Sequence, residues 1–316
     1  MPIRIEFTGE YASLMRDYVA FRQNLGFVMP ESSQRWLLHM AESLYEMPLV
    51  PEVIDVERAE SIFAKREGES EVTRQSRFVV LRQFCLYLNR IGIAAYVPPA
   101  GQVKARSEFV PRIVSEHEMA RIIRVAEEKA LRWPPIALKI LWCTGIRIGE
   151  LSALTVGDFH RGDRSLYIAH AKNDRSRIVP VSESLAGDLG GYIDEHVPGG
   201  DSCRWLFPGK DPGRHRNKVA IGNRLHGIYR EAGVLTSEGR PIRTHDIRHS
   251  FAIAALEKMV EQGRDVYVAL PLLSAFMGHA NIYDTEYYLR FLPSAHRALL
   301  EQEAPISRAV FGDGAL

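Results

Sequence analysis

Cysteine is scarce in this sequence. Of 316 residues only Cys85, Cys143 and Cys203 are cysteines, an odd and widely spaced set without a CxxC pair. Such a set excludes a disulfide framework and a cysteine-based zinc site, and points to a reduced, cytosolic protein. Long hydrophobic runs are also missing: no stretch approaches the roughly 18 apolar residues needed to span a bilayer, so no membrane partner is expected. The opening segment "MPIRIEFTGEYASLM" has no basic region followed by an apolar core, and no signal peptide is expected. There is no internal repeat and no low-complexity tract. A net charge of +1 gives the whole chain no strong pull toward polyanions.

What is present is the composition of a folded chain, 46% hydrophobic and 25% charged. The length exceeds one ordinary domain, so two cores are expected. The near-neutral total hides local charge. Residues 204 to 248 carry ten Lys or Arg against four acids, an excess of six positive charges that could face phosphate.

Residues 10 to 93 repeat a helical pattern. Leu14, Tyr18, Phe21 and Leu25 form one apolar stripe; Trp36, Leu37, Met40 and Leu44 form another. Asp55 can cap a helix carrying Val56, Ala59, Ile62 and Phe63, and the longest pattern runs from about Thr73 to Asn89, ending near Gly92. That last helix interleaves Arg74, Arg77 and Arg82 with glutamines, either as a DNA-facing surface or as a solvated helix face. Next, "YVPPAGQVKARSEFVP" reads as an extended linker made basic by Lys104 and Arg106. Ser115 and Glu118 form a capping box that opens a new helix, and a further helix follows at about 134 to 143. "RSLYIAHA" and "RIVPVS", joined by "KNDRS", have the signature of a β-hairpin. Beyond residue 215 the pattern returns to helices.

Four segments carry residues suited to chemistry. "CTGIRIGELSAL" places Arg147 among apolar residues, where a guanidinium must be paired or must bind an anion, and Glu150 is positioned to hold it. "AHAKNDRSRIVPV" puts Lys172 where a strand enters a tight turn. In "THDIRHSF", Thr244 reads as a cap, with His245 in the first helical turn and Arg248 on the same face, an anion site at a helix start. His245 and His249, spaced i and i+4, also admit a zinc reading, although no HExxH arrangement is present. In "MGHANIYDTEYYLRF", Gly278 ends an apolar helix, His279 opens a loop, and Asp284 or Thr285 can cap a helix holding Tyr287 and Tyr288. The aromatic pair alone reads equally as core. Taken together, two arginines, a lysine, two histidines and a tyrosine without a metal site are what phosphodiester transfer needs: guanidiniums to neutralise phosphoryl oxygens, a phenol as nucleophile, and an ammonium to protonate the leaving oxygen.

The order and spacing of these segments resemble the tyrosine recombinases, or phage integrase family, over essentially the whole chain. "TGIRIGEL" resembles the family's first arginine box, "AKNDRSRIVPV" its lysine hairpin, "THDIRHSFA" its His-x-x-Arg box and "MGHANIYDTEYY" its histidine and tyrosine segment. The methionine of "MGH" stands where leucine is commoner, a volume-conserving change. The resemblance implies a mainly α fold with a small antiparallel β-sheet. A helical core-binding (SAM-like) domain would span residues 1 to 97, a basic linker 98 to 112, and an α/β catalytic domain 113 to 316. The tail "SAHRALLEQEAPISRAVF" would dock on a neighbouring protomer. It further implies Arg147 and Arg248 as phosphate clamps, Lys172 as general acid, His245 and His279 as hydrogen-bond and proton-transfer partners, and Glu150 as support. The family usually places its nucleophile nine residues after the last histidine, which counts from His279 to Tyr288.

The implied reaction cuts one strand through a 3′-phosphotyrosyl link and religates it without cofactor or obligatory metal. Double-stranded DNA with an inverted-repeat core site is the expected partner, bound by dimers and tetramers in the nucleoid. Arg74, Arg77, Lys104, Arg106 and Arg243 are the expected further DNA contacts. "DTEYYLRF" looks most like members borne by mobile elements, which favours integration or excision; a Xer-like dimer resolvase, a non-catalytic DNA-binding regulator and a type IB topoisomerase are the alternatives.

Overall fold

The computed structural model describes residues 6 and 7, 11 to 27, 29 to 45 (side chains to 40), 54 to 105, 110 to 169, 176 to 196, 202 to 211, 213 to 279 and 281 to 291. Lys172, Arg106, the side chain of Leu44 and the tail from residue 294 lie outside them. The chain divides into two compact units, Met1–Phe109 and Val110–Leu316.

The first unit holds helices α1 (Ala12–Asn24), α2 (Glu31–Tyr45), α3 (Val56–Phe63) and α4 (Glu71–Arg90). Their core contains Met15, Tyr18, Leu37, Ile62, Phe78, Phe84 and Leu88. Tyr18 meets Phe84 edge-on, with ring centroids 5.3 Å apart, a geometry that aromatic quadrupoles favour. Asp55 caps α3 by accepting from the backbone N–H of Arg58 at 2.8 Å. The stripe expected on α1 is shifted. Tyr18 is buried, but Met15 takes the central place, and Leu25 lies past the helix end, 54% exposed. Val56, the first residue of α3, is likewise exposed because the first helical position projects away from the packed face.

The second unit begins with α5 (Glu116–Glu127), opened by the reciprocal Ser115 and Glu118 capping box. It continues with α6 (Trp133–Thr144) and α7 (Ile148–Ser152). Three antiparallel strands follow: β1 (Phe159–His160), β2 (Ser165–Ile168) and β3 (Arg177–Pro180), in the order β1-β2-β3. The β2 and β3 pair is the hairpin expected from the sequence, with Leu166 opposite Val179. After the sheet come α8 (Glu183–His196), α9 (Lys218–Glu231), α10 (Thr244–Glu261), α11 (Val266–Met277) and the short α12 (Tyr283–Glu286), then a 3-10 turn, Tyr287–Phe291. None of the described helices is long and apolar enough to cross a membrane.

Helix α10 organises this unit. It buries Ile247, Ala252, Ile253 and Leu256, together with the polar residues Thr244, Asp246, Arg248, His249 and Ser250. Buried polar side chains of this number must be paired or functional. Ser250 is paired twice, donating to the Asp246 carbonyl at 2.8 Å and accepting from the Val114 N–H at 2.7 Å.

Candidate active site

Two helix ends create the floor of the site. Helices α6 and α11 both stop at a left-handed glycine, Gly145 (φ 59°) and Gly278 (φ 66°). Ending there leaves C-terminal carbonyls without intrahelical donors, at the negative end of each helix dipole. Arginines fill that role. Arg248 donates to the Gly145 carbonyl at 2.6 Å and to the Met277 carbonyl at 2.8 Å, while Arg147 donates to the Gly278 carbonyl at 3.0 Å. Both glycines are also fixed by close approach. A Cβ at Gly145 would lie 2.4 Å from the Phe251 ring, and one at Gly278 would lie 2.6 Å from the Arg177 guanidinium.

Glu150 ties the arginines together. Its carboxylate accepts from the Arg147 side chain at 2.9 Å and the Arg147 backbone N–H at 2.9 Å. Two further bonds come from Arg177, at 2.8 and 3.2 Å. Burial pushes the Glu150 carboxyl up, but the bonds from Arg177 and Arg147 outweigh it and hold the group below its usual range. Arg147 is the N-cap of α7, which runs only to Ser152.

Arg248 is 2% exposed, and its described hydrogen bonds go to backbone carbonyls, not to a carboxylate. Burial, and after it the charge of Arg147, lowers its pKa to about 10, still above neutrality. Arg147 and Arg177 thus share the carboxylate of Glu150, while Arg248 lies in the same cluster with no described carboxylate bond. Guanidinium charge therefore exceeds the carboxylate charge bonded to it, which suits an anion site.

Three histidines and a tyrosine complete the cluster. Tyr288 is 2% exposed, and its phenol oxygen lies 3.1 Å from Nδ1 of His249. The His279 ring lies nearly parallel to the Tyr288 ring, with centroids 6.3 Å apart, and its Nδ1 is 2.7 Å from the Thr285 hydroxyl. The His245 ring meets His249 edge-on at 4.5 Å. Burial, followed by the charge of Arg248, lowers the pKa of His245 and brings that of His279 to about 3. Burial and His245 bring His249 to about 4. Burial pushes Tyr288 up to about 12 against the opposing pull of Arg248. At neutral pH the histidines and the phenol are uncharged, so the local charge comes from the arginines and from the carboxylates of Glu150, Asp246 and Asp284. Beside this cluster opens a cavity of about 740 Å³ lined by Arg147 and His245 together with Trp205, His215 and Lys218.

The structure thus brings Arg147, Glu150, His245, Arg248, His279 and Tyr288 together. It corrects two caps. Arg243, not Thr244, is the N-cap of α10: the Asp246 carboxylate accepts from the Arg243 N–H at 2.8 Å, and the Thr244 hydroxyl lies 3.3 Å from that of Tyr229. Neither Asp284 nor Thr285 caps a helix holding the tyrosines. Thr285 is fully buried within α12, and Tyr287 and Tyr288 start the 3-10 turn.

The expected DNA-contact arginines fare differently. Arg77 is not a surface residue: it is 3% exposed, with its guanidinium held by Glu69 at 2.7 and 3.1 Å and by the Ala64 carbonyl at 2.7 Å. Arg74 donates to the Phe63 carbonyl and lies 3.6 Å from Glu71. Arg243 is half-exposed and lies 3.2 Å from Asp246, and Lys104 is exposed.

Two residues escaped the sequence reading. Arg177 shares the inward face of β3 with Val179, while Ile178 and Pro180 point out; that alternation was the available signal for a buried guanidinium. His249 drew attention only as a zinc ligand. Among the described residues no group of three or more His, Cys, Asp or Glu is placed to hold a metal ion.

Comparison with known proteins gives the family and the fold. Residues 112–294 match the phage integrase family. The chain is 26% identical over 298 residues to the putative integrase/recombinase y4rB of Sinorhizobium fredii, covering 90% of this chain and 93% of the relative. It is 28% identical to the tyrosine recombinase XerD of Brucella suis, over 76% of this chain and 79% of that protein. The Tn1549 transposon integrase, solved in complex with transposon right end DNA, shares the fold with a TM-score of 0.68 at 17% identity, covering 92% of this chain and 99% of that one. With its family match spanning more than half of its length, the chain belongs to the phage integrase family, the tyrosine recombinases.

Proposed function

We propose that this recombinase cuts and rejoins double-stranded DNA with Tyr288 as its nucleophile. The phenol oxygen attacks the scissile phosphorus, forming a 3′-phosphotyrosyl link and releasing a 5′ oxygen. Arg147 and Arg248 neutralise the non-bridging oxygens as negative charge builds on them. Lys172 protonates the leaving oxygen, His245 and His279 supply hydrogen bonds, and Glu150 holds Arg147 in place. No cofactor takes part. The observation that carries this reading is the cluster of three guanidiniums around one bonded carboxylate beside a buried phenol, because a phosphoryl transition state supplies the matching negative charge.

The domain roles follow the same reading. Residues 1 to 97 grip DNA as a core-binding domain, residues 98 to 112 form the linker, residues 113 to 316 carry catalysis, and the tail docks on a neighbouring protomer. Dimers and tetramers assemble on an inverted-repeat core site in the nucleoid. Integration or excision of a mobile element is the favoured role, supported by the integrase/recombinase relative from Sinorhizobium fredii and the likeness to a transposon integrase. A Xer-like dimer resolvase is the second reading, favoured by the similarity to XerD.

A nicked suicide duplex built from the repeated ends flanking the gene tests the chemistry. The wild type and Tyr287→Phe trap a covalent complex and Tyr288→Phe does not; trapping that survives Tyr288→Phe and vanishes in Tyr287→Phe refutes the assignment. Recombination between those same ends supports the mobile-element role, whereas activity only on a chromosomal dimer site supports the resolvase.

A further inference from the structure

We propose that His249 takes the phenolic proton of Tyr288 during strand cleavage and returns it during rejoining, an assignment that rests on Tyr288 being the nucleophile. Two histidines approach this tyrosine and a third, His245, lies behind one of them. His279 lies against the face of the phenol ring, and its Nδ1 is engaged with Thr285. His245 touches His249 and has no described bond to the phenol. His249 places Nδ1 3.1 Å from the phenol oxygen, within the reach that proton transfer needs.

The surroundings suit an acceptor. His249 is 9% exposed on α10, one residue after Arg248, so its backbone is held by the same buried helix that positions a phosphate-binding arginine. In the tautomer carrying its proton on Nε2, the Nδ1 lone pair accepts the phenol O–H. The groups that face it are His245, Asp246, Arg243 and Arg248 from α10, and Tyr287 and Tyr288 from the 3-10 turn. Burial and the neighbouring His245 keep the imidazole neutral above about pH 4, and burial keeps the phenol protonated. The proton therefore stays on the oxygen in the free protein. An entering phosphodiester neutralises arginine charge and makes the imidazolium easier to form.

The step balances. The Oη–H bond breaks and its proton passes to Nδ1. The Oη–P bond forms, the bond from phosphorus to the 5′ oxygen breaks, and that oxygen takes a proton from the acid assigned to Lys172. In rejoining, the 5′-hydroxyl returns its proton to the amine assigned to Lys172 as its oxygen attacks phosphorus, the Oη–P bond breaks, and Oη recovers its proton from Nδ1.

Single-turnover cleavage of the nicked suicide duplex by the full chain tests this. His249→Ala is expected to cleave on the order of 100-fold slower or worse, with DNA affinity unchanged. Its rate is expected to rise at least about tenfold in added imidazole, and its acidic limb in the pH–rate profile to be lost. His249→Asn keeps a hydrogen-bonding group but not a proton acceptor, and is expected to be similarly slow; it carries the comparison if the alanine variant does not bind DNA. A wild-type rate in His249→Ala overturns the proposal, and so does a slow variant with no response to imidazole and an unchanged pH profile, because that result is a packing effect. Tyr288→Phe, run alongside, separates the two readings. A covalent complex formed by it removes the nucleophile assignment itself, whereas its failure combined with normal cleavage by His249→Ala overturns only the proton transfer.

Discussion

Each unit of the molecule buries an arginine beside a glutamate, and the two arrangements serve different ends. In the first unit Arg77 and Glu69 are 3% and 5% exposed, and one guanidinium meets one carboxylate through two bonds. Positive and negative charge cancel, and the Ala64 carbonyl takes a further bond from the guanidinium. In the second unit Glu150 is shared between Arg147 and Arg177, while Arg248 is held by carbonyls at the ends of α6 and α11. Helix dipoles stabilise that third guanidinium without neutralising it. Burial of an arginine is therefore a poor marker of function by itself. An excess of buried positive over negative charge is the better one, because folding tolerates it only where a ligand will supply the missing charge.

Substitutions at the two arginines test this difference most strongly. Arg248→Ala is expected to slow covalent-complex formation by about 10²- to 10³-fold or more, in line with removal of a preorganised oxyanion donor. It should lower stability less than loss of a buried ion pair does, because it strips the Gly145 and Met277 carbonyls of a donor but leaves no carboxylate unpaired. Near-normal cleavage, or collapse of the fold, would erase the contrast. Arg77→Ala should do the reverse. It leaves Glu69 buried and unpaired, at a cost of about 3–5 kcal/mol in a denaturant titration, while cleavage at a permissive temperature stays within a few-fold of wild type. A large loss of DNA affinity in a stably folded Arg77→Ala protein would restore Arg77 as a DNA contact.

The glycine that shapes the second cluster gives a smaller effect. Gly278→Ala sets a Cβ 2.6 Å from the Arg177 guanidinium at a positive φ. It is expected to cost about 1–3 kcal/mol and to reduce cleavage, because Arg177 must leave Glu150. Gly233→Ala, also at positive φ but with open space around it, should lose stability without losing cleavage. Equal losses of activity in both variants would argue against a role for that contact.

The remaining expected effect is on the pH dependence of stability. His279 and His249 titrate near 3 and 4 in the folded protein, against an ordinary value near 6.5. Between those limits the unfolded chain binds more protons than the folded one, so stability is complete above about pH 6.5 and falls as the pH drops toward 4. Melting curves at pH 7.5 and 5 should show this decline, and His279→Gln should make it shallower. A protein equally stable at both values would contradict the neutral, buried state of these rings.

Local signals were legible in the sequence where a residue's partner is a near neighbour. The Ser115 and Glu118 box, the Asp55 cap and the glycine ending α11 rest on interactions within a few residues, and the β2 and β3 hairpin pairs consecutive strands. The four boxes were legible through their family resemblance. What stayed hidden depends on which groups compete for one partner. Asp246 reaches back to the Arg243 N–H, displacing Thr244 as the cap. Arg77 is claimed by Glu69, and Arg177 crosses from the sheet to Glu150. His249 carries no mark in the sequence beyond its spacing from His245, because its meaning comes from Tyr288, on a different element. Tyr287 and Tyr288 fall in a 3-10 turn in which Tyr288 is buried and Tyr287 packs against Phe291. That assignment depends on packing against α10, which periodicity does not report.

Mapping the DNA-linked residue tests the central claim most directly. The trapped covalent complex is digested with nuclease and protease, and the nucleotide-bearing peptide is sequenced by tandem mass spectrometry. The account predicts a phosphodiester mass on Tyr288, with Tyr283 and Tyr287 unmodified. A modification on Tyr287, or on any residue outside the arginine cluster, would contradict it.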